Sequence, residues 1–419
     1  MTDRAAPPVA LYVHVPFCVS LCPYCDFVVH AGAAARGPRA RVDAYVAALL
    51  TEIDLRADAL DTRFGPPLEP GAPAGRARPA LATVYIGGGT PSLLPAVTVG
   101  ALLDRVRSRF GVAPGAEVTL EVNPGVDDRG DLAGFVAAGV TRVSIGAQSL
   151  VSSELRRLGR RHAPGDVGVT VETARRAGAA SISLDLLYDV PGQTPASWEG
   201  TLRAALALEP DHLSLYALTL DDPEAEGLAG DLGDHLPTTA GARRWRTNAR
   251  RDQDEDAAAA AYERACDVLA EAGFRRYEIS NWARPGHESR HNMAYWERRP
   301  HEAVGTGAHA FDGHVRRWNA AALGPYVAAL APAAGSGLEP VLPPGGSEAL
   351  DEMTALREAA ILGLRTDRGL TAEAVAAGPA ADALRWAIDH GLAAVGEDGR
   401  VRLTRGGALL SNEVFRRIV

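Results

Sequence analysis

The sequence predicts an α/β fold on a parallel sheet, either doubly wound or curled into a barrel. Three observations carry this. Short β-branched runs alternate with Ala/Leu-rich helical stretches through the first half. Several of those runs are near-continuously apolar, as strands covered on both faces should be, and polar residues gather where they end. The expected strands are Val9–Val15, Ala82–Ile86, Glu117–Val122, Thr141–Ile145, Ser181–Leu187 and His212–Ala217. Helices are expected between them at Val42–Leu60, Ala96–Phe110, Leu132–Ala138, Asp166–Ala177 and Pro195–Leu208. Further on, Ala257–Ala272 reads as a helix with Tyr262, Cys266 and Leu269 on one face, which makes Cys266 a small buried hydrophobe.

Gly65–Pro79 and Ala331–Gly346 are Pro/Gly-rich, and Gly230–Asp256 is charged with few apolar anchors, so all three read as surface insertions or linkers. The last ~75 residues order as helices, a hairpin at Ala393–Leu403 turning at Gly396–Gly399, and a final helix, like a winged-helix module. Its charges nearly balance, which argues for packing or docking and against DNA.

The 419 residues are 47% apolar and 23% charged, enough for two or three domains. The net charge of −9 is a poor match to a phosphate backbone, so no nucleic acid partner is expected. All 43 basic residues are Arg. Without Lys there is no Walker phosphate lysine, no Schiff-base lysine and no lysine general base. Met-Thr-Asp-Arg-Ala-Ala-Pro-Pro opens the chain with no signal core behind it, and no apolar run approaches the ~18–20 residues of a bilayer span. A cytoplasmic, non-transmembrane protein is expected.

Of four cysteines, Cys18, Cys22 and Cys25 crowd together in a C-x3-C-x2-C spacing after the first strand. Three thiolates from one loop can cap three irons of a cubane and leave the fourth open to a chelating ligand. A zinc site completed by His14 or His30, or a cluster with a distant fourth ligand, are the alternatives. Gly87-Gly88-Gly89-Thr90-Pro91 follows the second strand, where glycines allow close backbone approach. Glu121 and Asn123 end the third strand, Gln148 and Arg160 follow the fourth, Asp185 lies in the fifth and Tyr216 near the end of the sixth. Singly each is a cap, a surface charge or a satisfied core group. Together they mark the strand ends where parallel barrels assemble their sites.

Four motifs carry a resemblance over most of the chain: Tyr-Val-His-Val-Pro-Phe-Cys (12–18), Gly-Gly-Gly-Thr-Pro-Ser (87–92), Ser-Ile-Gly-Ala-Gln-Ser (144–149) and Asp-Leu-Leu-Tyr-Asp-Val-Pro-Gly-Gln-Thr (185–194). The sequence resembles the radical S-adenosylmethionine superfamily, in the branch of oxygen-independent coproporphyrinogen III oxidases and HemW-type haem chaperones. The resemblance implies a partial, TIM-like (β/α)6 barrel with a smaller C-terminal α/β region like a winged helix. It implies one [4Fe-4S] cluster on Cys18, Cys22 and Cys25. S-adenosylmethionine would be lined by Tyr12, Tyr24, Gly88, Gly89, Thr90, Glu121, Gln148, Arg160 and Asp185. Glu121 suits a cation and Asp185 the ribose hydroxyls. Asp189 stands where the family usually has Gly. The implied division is 1–229 for the barrel, 230–256 for a charged insertion, 257–330 for a barrel-extending segment and 347–419 for the C-terminal domain.

Cys25 is followed by Asp26-Phe27, the chaperone-type pattern, where the oxidases have Gly-Cys. His291-Asn292-Met293-Ala294-Tyr295-Trp296 matches the chaperone motif H-N-x-x-Y-W. Imidazole is a good axial ligand and flanking rings offer flat apolar surface, so His291, Tyr295 and Trp296 are the candidate haem residues. A satisfied core histidine in an aromatic patch is the alternative, and His309 is a second haem candidate. The expected partners are haem and apo-haemoproteins, respiratory ones at the membrane foremost, with room for peripheral membrane contact and a homodimer. The competing function is oxidative decarboxylation of coproporphyrinogen III in porphyrin biosynthesis. A zinc-stabilised interaction protein is the third.

Overall fold

Six strands pair side by side in chain order, all parallel: β1 (Ala10–Val15), β2 (Leu81–Gly88), β3 (Val112–Val122), β4 (Arg142–Gln148), β5 (Ser181–Tyr188) and β6 (His212–Ala217). The computed structural model describes residues 5–32, 40–68, 77–220, 227–331 and 337–419. The Pro/Gly-rich stretches Gly65–Pro79 and Ala331–Gly346, and the opening Met1–Arg4, lie partly or wholly outside the described residues.

Beyond β1 the sheet continues through His301–Val304, parallel to β1, and then three antiparallel strands ending at Gly345–Ala349. Beyond β6 come Asn281–Ala283, antiparallel to β6, and Arg275–Glu278, antiparallel in turn to Asn281–Ala283. The row of strands does not return on itself among the described residues, so the α/β sheet is a partial barrel.

The strands alternate more sharply than continuous apolarity suggests. Leu11 and Val13, Val84 and Ile86, Leu120 and Val122, Val143 and Ile145, Leu184 and Leu186, and Leu213 and Leu215 are all buried in one core with the flanking helices. The opposite parity gives Tyr12, Thr83, Tyr85, Glu117, Glu121, Arg142, Ser144, Ser183, Asp185, His212 and Ser214. Side chains alternate across a strand, so one face packs on helices while the other lines the interior with polar groups. The interior face is therefore buried but not apolar, which is why sequence hydropathy blurs it.

The helices Ala40–Phe64, Ala96–Phe110, Leu132–Ala137, Pro164–Ala177 and Pro195–Leu206 lie where their apolar periodicity places them. Thr194 starts the last of these by accepting from Ser197 N, a cap worth ~1 kcal/mol. Cys266, on the helix Glu255–Glu271, is only partly buried against the core. The charged stretch 230–256 is more ordered than its composition suggests. It carries the helix Ala240–Ala249, capped by Thr239, with Ala242, Arg246 and Ala249 buried.

At the C-terminal end, the helices Glu352–Arg365, Ala372–Ala377 and Ala381–Asp389 precede the hairpin Ala393–Val395/Val401–Leu403 and two short helices. Leu364, Leu384, Ala387, Val401 and Val414 form a separate core there. Arg365 to Glu278 (3.2 Å) and Glu358 to Arg298 (2.5 Å) tie this region to the barrel. No helix of the described residues is long and apolar enough to cross a membrane.

Candidate functional site

The cysteine loop leaves β1 and is tied back at its far end, where His30 N donates to Pro16 O and the short pair Phe17–Cys18/His30–Ala31 forms. Cys25 N donates to Cys22 O at 3.0 Å, so the two thiols share one tight turn. All three thiols are free and partly buried. Burial pushes Cys18 up to about 11 and Cys25 up to about 12, with the neighbouring cysteines adding to both. Thiols held protonated this way are deprotonated by a cationic metal centre, whose charge outweighs the desolvation. Among the described residues no three His, Cys, Asp or Glu side chains converge as they would on a single ion. His14 has both ring nitrogens engaged, by Tyr12 OH (2.9 Å) and Val28 O (2.8 Å).

A hydrogen-bonded chain joins two of these thiols across the strand ends. Cys18 Sγ lies 3.4 Å from Thr90 Oγ1, which accepts from Asn123 Nδ2 at 2.9 Å. Asn123 Oδ1 accepts from Arg160 Nη2 at 2.6 Å, and Arg160 Nη1 points at Cys22 Sγ from 3.6 Å. Arg160 also donates to Gly146 O at 2.8 Å. Residues after β1, β2, β3 and β4 are thus locked into one rim, with a half-buried guanidinium beside a thiol.

The glycines at this rim serve the protein as much as any ligand. A side-chain carbon at Gly88 would stand 2.4 Å from the His14 ring, and one at Gly89 would stand 2.8 Å from Phe17 O. Gly88 also has φ +114°, a left-handed value that excludes most side chains. Gly89 N donates to Val15 O and Thr90 N to Phe17 O, both at 2.8 Å, so close approach here seats the cysteine loop on β2.

Below the rim, Glu121 accepts from Tyr85 OH and Gly88 N, both at 2.8 Å, and burial pushes its carboxyl up to about 7. Burial likewise raises Asp185, which accepts from Ser144 Oγ at 3.2 Å. The Tyr12 ring packs tilted against Tyr85 at 6.1 Å, and Tyr24 packs on Trp245 at 6.3 Å. Gln148 takes φ 65° at the end of β4. Asp189 takes φ 60°, so the left-handed backbone expected of a glycine is kept, and its carboxylate accepts from Gln253 Nε2 at 3.0 Å.

One residue at the site was missed in the sequence. Arg246 sits 6% exposed and donates to Pro23 O (3.1 Å) and Cys25 O (2.9 Å). The signal was present as an Arg-Arg-Trp-Arg run behind a Thr cap, inside a stretch set aside as insertion.

The H-N-x-x-Y-W segment forms the helix Arg290–Trp296, capped by Ser289. His291 is 1% exposed, with Nδ1 on Thr83 Oγ1 and Nε2 on Tyr295 OH, both at 2.8 Å. Its ring lies 5.1 Å from that of Tyr85, and burial lowers its pKa to about 3. This is a satisfied core histidine, with neither nitrogen free for iron. Tyr295 spends its hydroxyl on that contact, and Trp296 lies under the Arg365 guanidinium at 4.4 Å, seating the C-terminal region. His309 stands apart, half exposed and 2.8 Å from Asp234.

The model of the Radical SAM superfamily matches residues 12–205. The heme chaperone HemW of Mycobacterium tuberculosis is 35% identical over 412 residues, 98% of this chain and 95% of the relative. HemW of Escherichia coli is 37% identical, covering 74% of this chain and 73% of that protein. The mitochondrial radical S-adenosyl methionine domain-containing protein 1 of Bos taurus is 35% identical, over 86% and 74%. Among solved structures, coproporphyrinogen III oxidase of Escherichia coli superposes with a TM-score of 0.75 at 22% identity, over 99% of this chain and 90% of that one.

Proposed function

This chain belongs to the radical SAM superfamily and, within it, to the HemW family, and from that premise we propose that it is a haem chaperone. It would bind one [4Fe-4S] cluster, S-adenosylmethionine and haem, and pass haem to apo-haemoproteins. The linked rim from Cys18 through Thr90, Asn123 and Arg160 to Cys22 is the observation that carries the cofactor reading. Cys18, Cys22 and Cys25 would hold the cluster. When bound, that group supplies an open iron for chelation and a single electron.

This chain's residues then do four things. Arg160 places positive charge beside a cluster thiolate and holds the rim together. Gly88 and Gly89 keep the cysteine loop against β2. Glu121 presents a carboxyl to the cationic part of the nucleotide. Asp185, oriented by Ser144, accepts from its ribose hydroxyls. Tyr12, Tyr24, Thr90 and Gln148 complete the lining.

The haem reading rests on Asp26-Phe27 after Cys25, on the H-N-x-x-Y-W match and on the relatives' printed names. One experiment tests it: anaerobic cluster reconstitution, then parallel haem titration and coproporphyrinogen turnover. Stoichiometric haem uptake with coproporphyrinogen unchanged is the expected result. Formation of protoporphyrinogen would replace the chaperone with the decarboxylating enzyme. Cys→Ser changes at 18, 22 or 25 should remove the iron first and leave haem uptake.

A further inference from the structure

We infer that haem is held in a cavity at the foot of the barrel, against one face of the helix Arg290–Trp296, with its propionates towards Arg290 and Arg299. The inference rests on the chaperone reading and deepens it by giving haem a seat. The cavity measures about 780 Å³ and lies between that helix, the starts of β1 and β2, and the loop at Asp367 and Arg368. That is within the roughly 300–1,000 Å³ of pockets that enclose organic ligands.

The helix has two faces with different duties. His291 and Tyr295 bond each other, and His291 bonds Thr83 of β2, so this pair fastens the helix to the barrel. Arg290, Met293, Ala294 and Glu297 follow the helical spacing of three and four residues and line the cavity. In H-N-x-x-Y-W the His and Tyr therefore anchor the helix, and the two positions between them face the ligand. Met293 brings a thioether, a group that haem iron accepts as a ligand.

The charges around the cavity are sorted by side. Arg290 donates to Ala82 O at 2.8 Å, and Pro300 O, next to Arg299, accepts from Val9 N at 2.9 Å. Both cations thus border the Val9–Ala82 edge. Arg290 spends its guanidinium on carbonyls, and Arg299 is exposed, with neither side chain in an ion pair among the described residues. Glu297, by contrast, is paired with Arg368. The remaining acids lie across the barrel, by Tyr277 on the outermost strand beyond β6. Asp367 N donates to Tyr277 O at 2.9 Å, and Ser289 N, next to Glu288, donates to Tyr277 OH at 3.2 Å. Haem carries both propionates on one edge. Two unpaired guanidinium groups attract that edge, and two carboxyls opposite repel it, so one orientation is favoured. The cysteine rim is at the other end of the strands, since Thr83 to Gly88 along β2 spans roughly 16 Å.

The test is haem titration of the full-length protein, with denaturant midpoint and cluster iron as checks on the fold. Ala294→Trp puts an indole into the cavity and should weaken haem binding roughly tenfold or more. Arg299→Glu changes an exposed side chain, leaves the packing alone, and should weaken binding severalfold at low salt. Haem with both propionates methylated should bind the unaltered protein and Arg299→Glu alike. Unaltered affinity for haem in both Ala294→Trp and Arg299→Glu would overturn this site and leave the chaperone reading standing. Failure of the unaltered protein to bind haem would remove that reading and this site with it.

Discussion

Arg246 donates to the carbonyl oxygen of Cys25 at 2.9 Å, so a helix 221 residues further along the chain holds the loop that carries the three thiols. The same guanidinium takes Pro23 O at 3.1 Å, which fixes the turn on both sides of Tyr24. Trp245, on the same helix, packs on the Tyr24 ring and donates to Arg157 O at 3.1 Å. The cysteine loop is therefore clamped from outside the barrel as well as from the rim.

Arg246→Gln removes charge-assisted bonds each worth roughly 1.5–3 kcal/mol and loosens the turn. The reconstituted protein should hold less iron and sulfide, and it should lose its cluster in air severalfold faster. Arg246→Lys should recover part of that loss. Iron content and bleaching rate are the measurements, and equal values for all three proteins would refute the clamp.

Glu121 should make nucleotide binding depend on pH near neutrality. Its carboxyl is neutral below about 7 and charged above, so affinity for a sulfonium nucleotide should rise as pH climbs through that value. Glu121→Gln should flatten the profile. The sign for stability is opposite. A folded pKa of about 7 against an ordinary 4.5 means that the folded state holds the proton more tightly. Its contribution is full below 4.5 and is lost by about 7, on the order of 3 kcal/mol. Binding isotherms and denaturant midpoints from pH 5 to 8 check both signs.

Gly89→Ala should lower stability by ~1–3 kcal/mol, because the added carbon meets backbone atoms of Pro16 and Phe17 and no flexible side chain can yield. The cysteine loop must shift, so cluster occupancy should fall together with the denaturant midpoint. A variant as stable and as iron-rich as the parent would show that the loop tolerates the displacement.

His291→Leu should cost on the order of 2 kcal/mol, since the Thr83 and Tyr295 hydroxyls lose buried partners. Haem uptake by the folded fraction should be unchanged. A lost haem spectrum with a retained fold would restore His291 as the iron ligand.

Much of the fold was legible in advance. β6 and the helix Ala96–Phe110 coincide with their expected limits, because a period of two or of 3.6 is written within a few consecutive residues. β3 begins at Val112, five residues before the expected Glu117, because Ala-Pro-Gly-Ala carries no alternating pattern and its pairing with β2 extends the strand. In the site, Cys18, Cys22, Thr90, Asn123 and Arg160 were all named from motif position, and the structure joins them in one chain of contacts. Arg246 was not, because charged composition says nothing about which carbonyls a guanidinium will find.

The amino-acid order alone determined the strand and helix pattern, the three-thiol loop and the polar ends of the strands, all of which depend on near neighbours. Only the folded chain decided which polar groups meet which histidines. His291 is held by Thr83, 208 residues away, and by Tyr295, whereas His309 meets Asp234 at 2.8 Å. Hydrogen-bond satisfaction is settled by partners that tertiary packing delivers, and no local spacing encodes them.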